Sequence, residues 1–270
     1  VAIIQRQSSD VMRDYGKKTV VGRQLVWWKA QADERYWYTC FAHQIDSSHL
    51  VAGNDNSRLI NLLKSYLPKE GRILEAGCGT GWLVSALQQR GYDIEGVDYS
   101  EPLVHEVLEK YPSLSIRVGD VCSLSVTDNY YSGYISLGVI EHRQAGCDPF
   151  LREAYRIVAP LGILCISVPF FNPLRRLKSK LGLFQGRTDG LGFYQYGFTR
   201  DHFKTILERH GFRVLNFEFY GSLRCIEEDL PWLDRILRTH GIWRWRKRVD
   251  LLDPLGIVPH MIMAVAEKPE

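Results

Sequence analysis

No stretch of this chain is apolar for long enough to cross a bilayer. The longest run, residues 163–171, falls well short of the roughly 20 residues that a membrane helix needs. Nor do the first residues show the basic-then-apolar pattern of a secretory leader, so a soluble, cytoplasmic protein is expected. The six cysteines (Cys40, Cys78, Cys122, Cys147, Cys165 and Cys225) include no CxxC pair and keep no regular spacing, which argues against a disulfide framework and against a cysteine zinc site. Charge of one sign is scarce too. The 34 Lys and Arg against 31 Asp and Glu leave a net charge of +3, too little to imply nucleic acid unless the basic residues cluster. There is no internal repeat and no low-complexity tract. What remains, 270 residues at 45% hydrophobic and 24% charged, is the composition of a globular protein with room for a sizeable core.

From Arg58 onward, short apolar segments alternate with amphipathic ones. This is the pattern of a mostly parallel sheet with helices on both faces. Strands are predicted at 72–76, 93–98, 115–118, 134–137, 163–168, 213–220 and 261–267. A helix over 82–90 ends at Gly91, and another starts at Ser100, carries Pro102 in its first turn and stops at Pro112. Asp148 reads as the cap of a third helix, whose Phe150, Leu151, Ala154, Ile157 and Val158 share a face. A fourth runs from 199 to 210 and closes at Gly211. Residues 1–54, rich in aromatics (Trp27, Trp28, Tyr36, Trp37, Tyr38, Phe41), are expected to form a helical lid on a domain spanning 55–270. Two insertions, 170–198 and 221–257, interrupt that domain, and insertions so long usually serve as lids, binding loops or partner surfaces.

The most informative stretch is Ile73-Leu74-Glu75-Ala76-Gly77-Cys78-Gly79-Thr80-Gly81. A buried strand enters a glycine-rich turn, and the helix that follows points its N-terminus back at it. Glycine lets the backbone approach a ligand closely, and free helix N–H groups favour an anionic group such as a carboxylate. The spacing is GxGxG, one residue short of the dinucleotide GxGxxG, which weakens the case for nicotinamide or flavin. Asp98 ends the second strand, where a carboxylate can accept both hydroxyls of a ribose.

These motifs resemble those of the class I S-adenosylmethionine-dependent methyltransferases over roughly residues 55 to 220. The resemblance implies a Rossmann-like, seven-stranded sheet with its last strand antiparallel, S-adenosylmethionine as cofactor and S-adenosylhomocysteine as product. Glu75, Gly77, Cys78, Gly79 and Gly81 correspond to the turn that holds the methionine part, Asp98 to the ribose acid and Tyr99 to a residue packed on adenine. Asp120 and Val121 correspond to the pair that reads the adenine edge, and Leu137 lies in the motif beside the transferred methyl. In the family's R-L-K-P-G-G turn before strand five, Leu161 replaces the first glycine.

Methyl transfer from a sulfonium is an in-line displacement whose leaving group needs no proton, so positioning supplies much of the rate. For a hydroxyl acceptor a general base helps, and His142 is the candidate, with Glu141 orienting it. Certain quinone-precursor and small-RNA methyltransferases carry E-V-I-E-H here and bind a divalent cation. This chain has Gly138-Val139-Ile140-Glu141-His142, the first acid is missing, and no metal is expected. Phe170, Tyr194 and Tyr196, with Phe193 and Phe198, are expected to line an apolar acceptor pocket. Arg175, Arg176, Lys178 and Lys180 on a short helix at 172–182 are expected to form a basic rim around it, to meet anionic lipid, or equally to stay solvated on a helix that caps the core. Trp232, Trp243 and Trp245 interleave with Arg235, Arg238, Arg244, Arg246 and Lys247, a patch that suits bases or headgroups and equally suits packing of the second insertion onto the sheet. The leading expectation is methyl transfer to an oxygen, ahead of nitrogen or carbon, of a small or lipid-linked molecule. Two other readings stay open: a nucleic-acid methyltransferase, disfavoured by the modest charge, and a cofactor-binding protein without activity.

Overall fold

The computed structural model describes residues 16–29, 34–42, 45, 58–184, 186–239 and 248–270. Trp243, Arg244, Trp245, Arg246 and Lys247 lie outside the described residues, as does the side chain of Arg238. The chain opens with a hairpin, β1 (Lys17–Val21) and β2 (Gln24–Lys29), followed by α1 (Glu34–Ala42) and α2 (Arg58–Tyr66). Then come β3 (Ile73–Ala76), α3 (Trp82–Gln88), β4 (Ile94–Asp98), α4 (Glu101–Lys110), β5 (Ile116–Val118) and β6 (Tyr131–Leu137). A single 3-10 turn, Ile140–His142, leads to α5 (Asp148–Ile157), β7 (Val158–Pro169), α6 (Pro173–Lys180) and β8 (Gly192–Gly197). The remainder is α7 (Arg200–Arg209), β9 (Arg213–Tyr220), α8 (Ser222–Asp229), α9 (Pro231–Thr239), a 3-10 segment Val249–Leu255 and β10 (Met261–Glu267).

Seven strands form one sheet in the order β5-β4-β3-β6-β7-β10-β9. The first five pair in parallel, and β10 runs antiparallel to both neighbours, as the resemblance implied. Alternation along the strands feeds two apolar layers. Ile73, Ile94 and Ile135 face one, with Leu83, Val84 and Val107 from the covering helices; Leu74, Val97 and Tyr134 face the other, with Leu151, Ile157 and Phe203. Each buried Leu or Ile side chain contributes about 1.5–3 kcal/mol relative to exposure.

Strand and helix positions follow the sequence pattern closely, with instructive departures. Cys147, not Asp148, occupies the cap position of α5, and Asp148 is its first residue. β7 begins at Val158, earlier than the apolar run suggested, because Val158 pairs with Tyr131 of a correspondingly longer β6. Leu161, inside that early part, adopts φ 61°, the left-handed conformation that glycine provides without strain.

The larger departure concerns two of the three regions outside the alternation, residues 1–54 and 170–198. The N-terminal segment is not simply helical: β2 pairs with β1 on one side and with β8 of the first insertion on the other, making a separate three-stranded sheet. A bridge between Phe170 and Phe198 joins this sheet to the carboxyl end of β7. Both regions thus sit at the end of the main sheet where the glycine-rich turn lies.

Candidate active site

The glycine turn is held by backbone bonds to the neighbouring strand. The N–H groups of Gly77 and Cys78 donate to the Val97 carbonyl at 2.7 and 3.0 Å, and the Gly79 N–H donates to Asp98 Oδ2 at 2.8 Å. Gly77 has φ 82°, and a Cβ there would collide with Val139, so only glycine fits both the backbone and the space. Cys78 is buried behind the turn against Gly96, where any Cβ would stand 2.7 Å from the cysteine's own. Gly81 precedes α3 in the left-handed conformation and caps it without a side chain, its space taken by Leu114 and Ile116.

Three carboxylates surround this turn. Glu75 is buried beneath it, takes an N–H from Val84, and leaves Oε2 without a partner among the described residues. Burial, with Asp98 nearby, pushes its carboxyl well above the usual range. Burial also raises Asp98, although the N–H groups of Ser100, Gly79 and Tyr99 all point at it. Asp120 accepts from the Cys122 N–H at 2.8 Å, the local turn bond common for this residue type.

A cleft of about 550 Å3 opens over these groups, within the range of small-molecule and cofactor sites. Gly77, Gly79, Asp98, Tyr99, Asp120 and Val121 line it together with Leu137, Val139, His142, Arg143 and Phe150. Trp37 and Phe41 of α1 form part of the wall, and Phe41 lies over Gly79. Glu75, Cys78 and Gly81 support the turn from behind. Phe170, Tyr194 and Tyr196 are placed differently from the expected pocket wall. Phe170 packs on Phe219 in the core, Tyr196 donates to the Gln144 carbonyl at 3.0 Å, and Tyr194 stacks on Trp37 behind His142. The cleft-lining Phe41, Phe150 and Arg143 carried no distinguishing signal beyond an aromatic-rich segment and adjacency to His142.

The chemistry of the donor set discriminates among cofactors. Asp98 can serve the ribose of either kind of cofactor, whereas a buried carboxyl directly beneath the turn suits a ligand that brings an ammonium group there better than one that brings a pyrophosphate. The buried, unpartnered Glu75 Oε2 and the glycine cradle both fit such a ligand. The sequence pattern of the methyltransferase domain matches residues 42–216, well over half of the chain. The protein belongs to the methyltransferase domain family.

The chain is similar to a protein described as a probable S-adenosylmethionine-dependent methyltransferase of Mycolicibacterium smegmatis, with 28% identity over 51% of this chain and 47% of that one. It is similar also to the ubiquinone biosynthesis O-methyltransferase of Azorhizobium caulinodans, at 32% identity over 38% and 43%. The chain thus spans about half the length of the curated relatives it matches. In fold it resembles an S-adenosylmethionine-dependent methyltransferase from Archaeoglobus fulgidus, with a TM-score of 0.57 at 19% identity over 86% of this chain and 99% of that one. S-adenosylmethionine is the cofactor that the family and the donor set call for. Of the residues that the resemblance assigns to it, Asp98, Tyr99, Asp120, Val121, Gly77 and Gly79 all line this cleft.

His142, which lines the cleft, and the buried Glu141 beside it follow β6 in the 3-10 turn. His142 Nδ1 lies 2.9 Å from the Tyr194 carbonyl, which assigns the ring proton to Nδ1, and Trp37 meets the ring edge-on at 4.5 Å. Burial drives the imidazole down to about 4, outweighing the Tyr194 and Gly138 carbonyls that favour its charged form; Lys29 adds to the lowering. Glu141 is buried, with Oε2 unpartnered among the described residues, and burial pushes it up to about 8. Its Oε1 stands 3.8 Å from His142 Nε2. At neutral pH the two are therefore a neutral acid beside a neutral imidazole. No group of three or more His, Cys, Asp and Glu suited to a metal occurs among the described residues.

The expected basic rim requires a correction. Arg175 is fully buried, its Nε 2.7 Å from Asp229 Oδ2 and its Nη2 3.4 Å from Glu228 Oε2. Lys178 donates to the Asp229 carbonyl at 2.6 Å. Both are spent inside the protein, because α8 brings two acids under α6. Only Arg176 and Lys180 of the four face solvent.

Proposed function

We propose that the protein transfers the methyl group of S-adenosylmethionine to an oxygen of a small or lipid-linked acceptor, leaving S-adenosylhomocysteine. When bound, the cofactor supplies an electrophilic methyl group on sulfur. The chain's own residues hold the ribose at Asp98, exclude water with Trp37 and Phe41, and present His142 at the acceptor end. His142 is the observation that carries the reading. With its proton on Nδ1, the ring offers Nε2 to an acceptor hydroxyl, and its lowered basicity keeps that nitrogen unprotonated throughout the neutral range. So weak a base suits an acidic hydroxyl, phenolic or enolic, better than an aliphatic alcohol. The apolar side chains of Trp37, Val139 and Phe150 favour a flat or greasy acceptor body. The Azorhizobium relative, named as an O-methyltransferase, agrees with transfer to oxygen.

The test is release of S-adenosylhomocysteine across phenols, aliphatic alcohols and amines built on one skeleton. Turnover is expected with phenols, and His142→Ala should slow the least acidic phenols most. Methylation confined to the amines would overturn the reading.

A further inference from the structure

A surface helix ordinarily turns its apolar side inward and leaves charge to water. α6 does the reverse. Its one fully buried residue is Arg175, whereas Leu177 is 55% exposed, and Leu181 and Leu183 just beyond it are 65% and 61% exposed. At about 100° per residue, positions 177 and 181 fall on the side away from Arg175. The helix cannot roll to hide them, because rolling would break the buried bonds of Arg175 to Asp229 and Glu228. A second apolar edge continues the first. The Leu174 N–H reaches the Ile257 carbonyl at 3.5 Å, and there Leu255 and Ile257 are also exposed.

Within the helix segment itself the charge has one sign. From residue 172 to 183 there is no Asp or Glu, and Arg176 and Lys180 stand exposed one turn apart beside the leucines. A second copy of the same face would therefore meet basic residues with basic residues, since a two-fold contact is self-complementary. Long basic side chains that lay their stems along an apolar band and lift their charges outward match the boundary of an anionic bilayer.

We propose that this face docks on an anionic lipid surface, with Leu177, Leu181, Leu183 and Ile257 entering the headgroup boundary and Arg176 and Lys180 meeting lipid phosphates. α6 leaves the carboxyl end of β7, the same end of the sheet as the cleft, so docking would bring the cleft to the membrane. The proposal deepens the lipid-linked acceptor reading and rests on it for its purpose, though the docking itself is measured independently.

Flotation with vesicles of phosphatidylcholine alone, and of phosphatidylcholine and phosphatidylglycerol in equal parts, tests it. The protein should float with the mixed vesicles and much less with the neutral ones. Leu177→Ser with Leu181→Ser, and separately Arg176→Gln with Lys180→Gln, should each weaken binding on the order of tenfold. Their calorimetric affinity for S-adenosylmethionine should match the parent's, which also shows that they fold. Absence of flotation overturns the proposal, as does flotation that neither variant weakens. A dimer in light scattering that Leu177→Ser with Leu181→Ser dissolves overturns it too, because a second copy would then cover the face. The readings fail separately: a parent protein that does not bind S-adenosylmethionine sinks the proposed activity, whatever the vesicles show.

Discussion

The cofactor end of the main sheet and the three-stranded sheet beside it are held together in different ways. At the first, the backbone does most of the binding, with glycines, strand carbonyls and amides fixing the turn above two extensive apolar layers. The second has a small apolar centre, Leu25, Trp27 and Phe171, and depends on buried charge. Lys18 from β1 and Arg175 from α6 converge on Glu228 and Asp229 of α8, and the Arg175 guanidinium lies 5.1 Å from the Trp27 ring centroid. Against the penalty of burial, Arg175 and Lys18 hold the Asp229 carboxyl well below the usual range. Three segments distant in sequence are thereby tied together by buried ion pairs.

Removing the central charge should break this contrast most visibly. Arg175→Ala leaves two buried acids short of a partner, at a cost of about 3–5 kcal/mol. If the small sheet opens on its own, amides of β1, β2 and β8 should exchange on the order of a hundredfold faster while those of β3 and β6 keep their protection. Equal acceleration everywhere would show that the two regions stand or fall together. Replacing Arg175 by Met and Asp229 by Leu at once should cost far less than Arg175→Ala.

The backbone-built end should respond in affinity more than in stability. Asp98→Ala removes a charged acceptor from the ribose and should weaken S-adenosylmethionine binding by about 1.5–3 kcal/mol, roughly tenfold to a hundredfold. Calorimetry with S-adenosylmethionine and with NAD reads this directly, and preference for NAD would refute the cofactor assignment.

Glu141 and His142 sit where the two regions meet, and pH sharpens the contrast there. Glu141 rises from its ordinary 4.5 to about 8, so between those values the folded protein keeps a proton that the unfolded chain has lost, and stability falls as pH rises. His142 drops from 6.5 to about 4, so between those values the unfolded chain holds the extra proton and stability rises with pH. Each slope is at most about 1.4 kcal/mol per pH unit, and the two oppose each other from about pH 4.5 to 6.5. Glu141→Gln should uncover the rising slope below pH 6.5 and abolish the falling one between 6.5 and 8. Urea unfolding across that range measures the difference, and a variant with the parent's pH profile would contradict it. The smallest effect belongs to neither region: Leu161→Gly, at an exposed left-handed position, should stabilise by about 1 kcal/mol or less in a thermal melt.

The main sheet was legible because its signals are local: an apolar run, a glycine, a helix of one face. Glu75 to Gly81 and Asp98 could be placed for the same reason, the turn and the strand end being neighbours in a parallel pair. β8 escaped notice because Gly192–Gly197 has no alternation of its own and becomes a strand through pairing with β2, more than 160 residues earlier. Arg175 was misread because a run of basic residues on a short helix looks solvated until α8 supplies its acids. Nothing in the Tyr194 neighbourhood of the sequence reveals that its carbonyl, as well as its ring, would meet His142.

The position of β10 carries a consequence for how the chain folds. It follows β7 and β9 in sequence yet lies between them, bonded to both. Until it arrives, each of those strands offers an unpaired edge, and β7 is the longer and more apolar of the two. A nascent chain must therefore hold a strand-wide gap in its largest sheet until β10 fills it, with the attendant hazard of capturing a strand from another molecule. The slot closes by non-local pairing on both sides, so the final step of assembly is expected to be slow and concentration-sensitive, even though the pairs β3–β4, β4–β5 and β6–β7 join strands that follow one another in the chain.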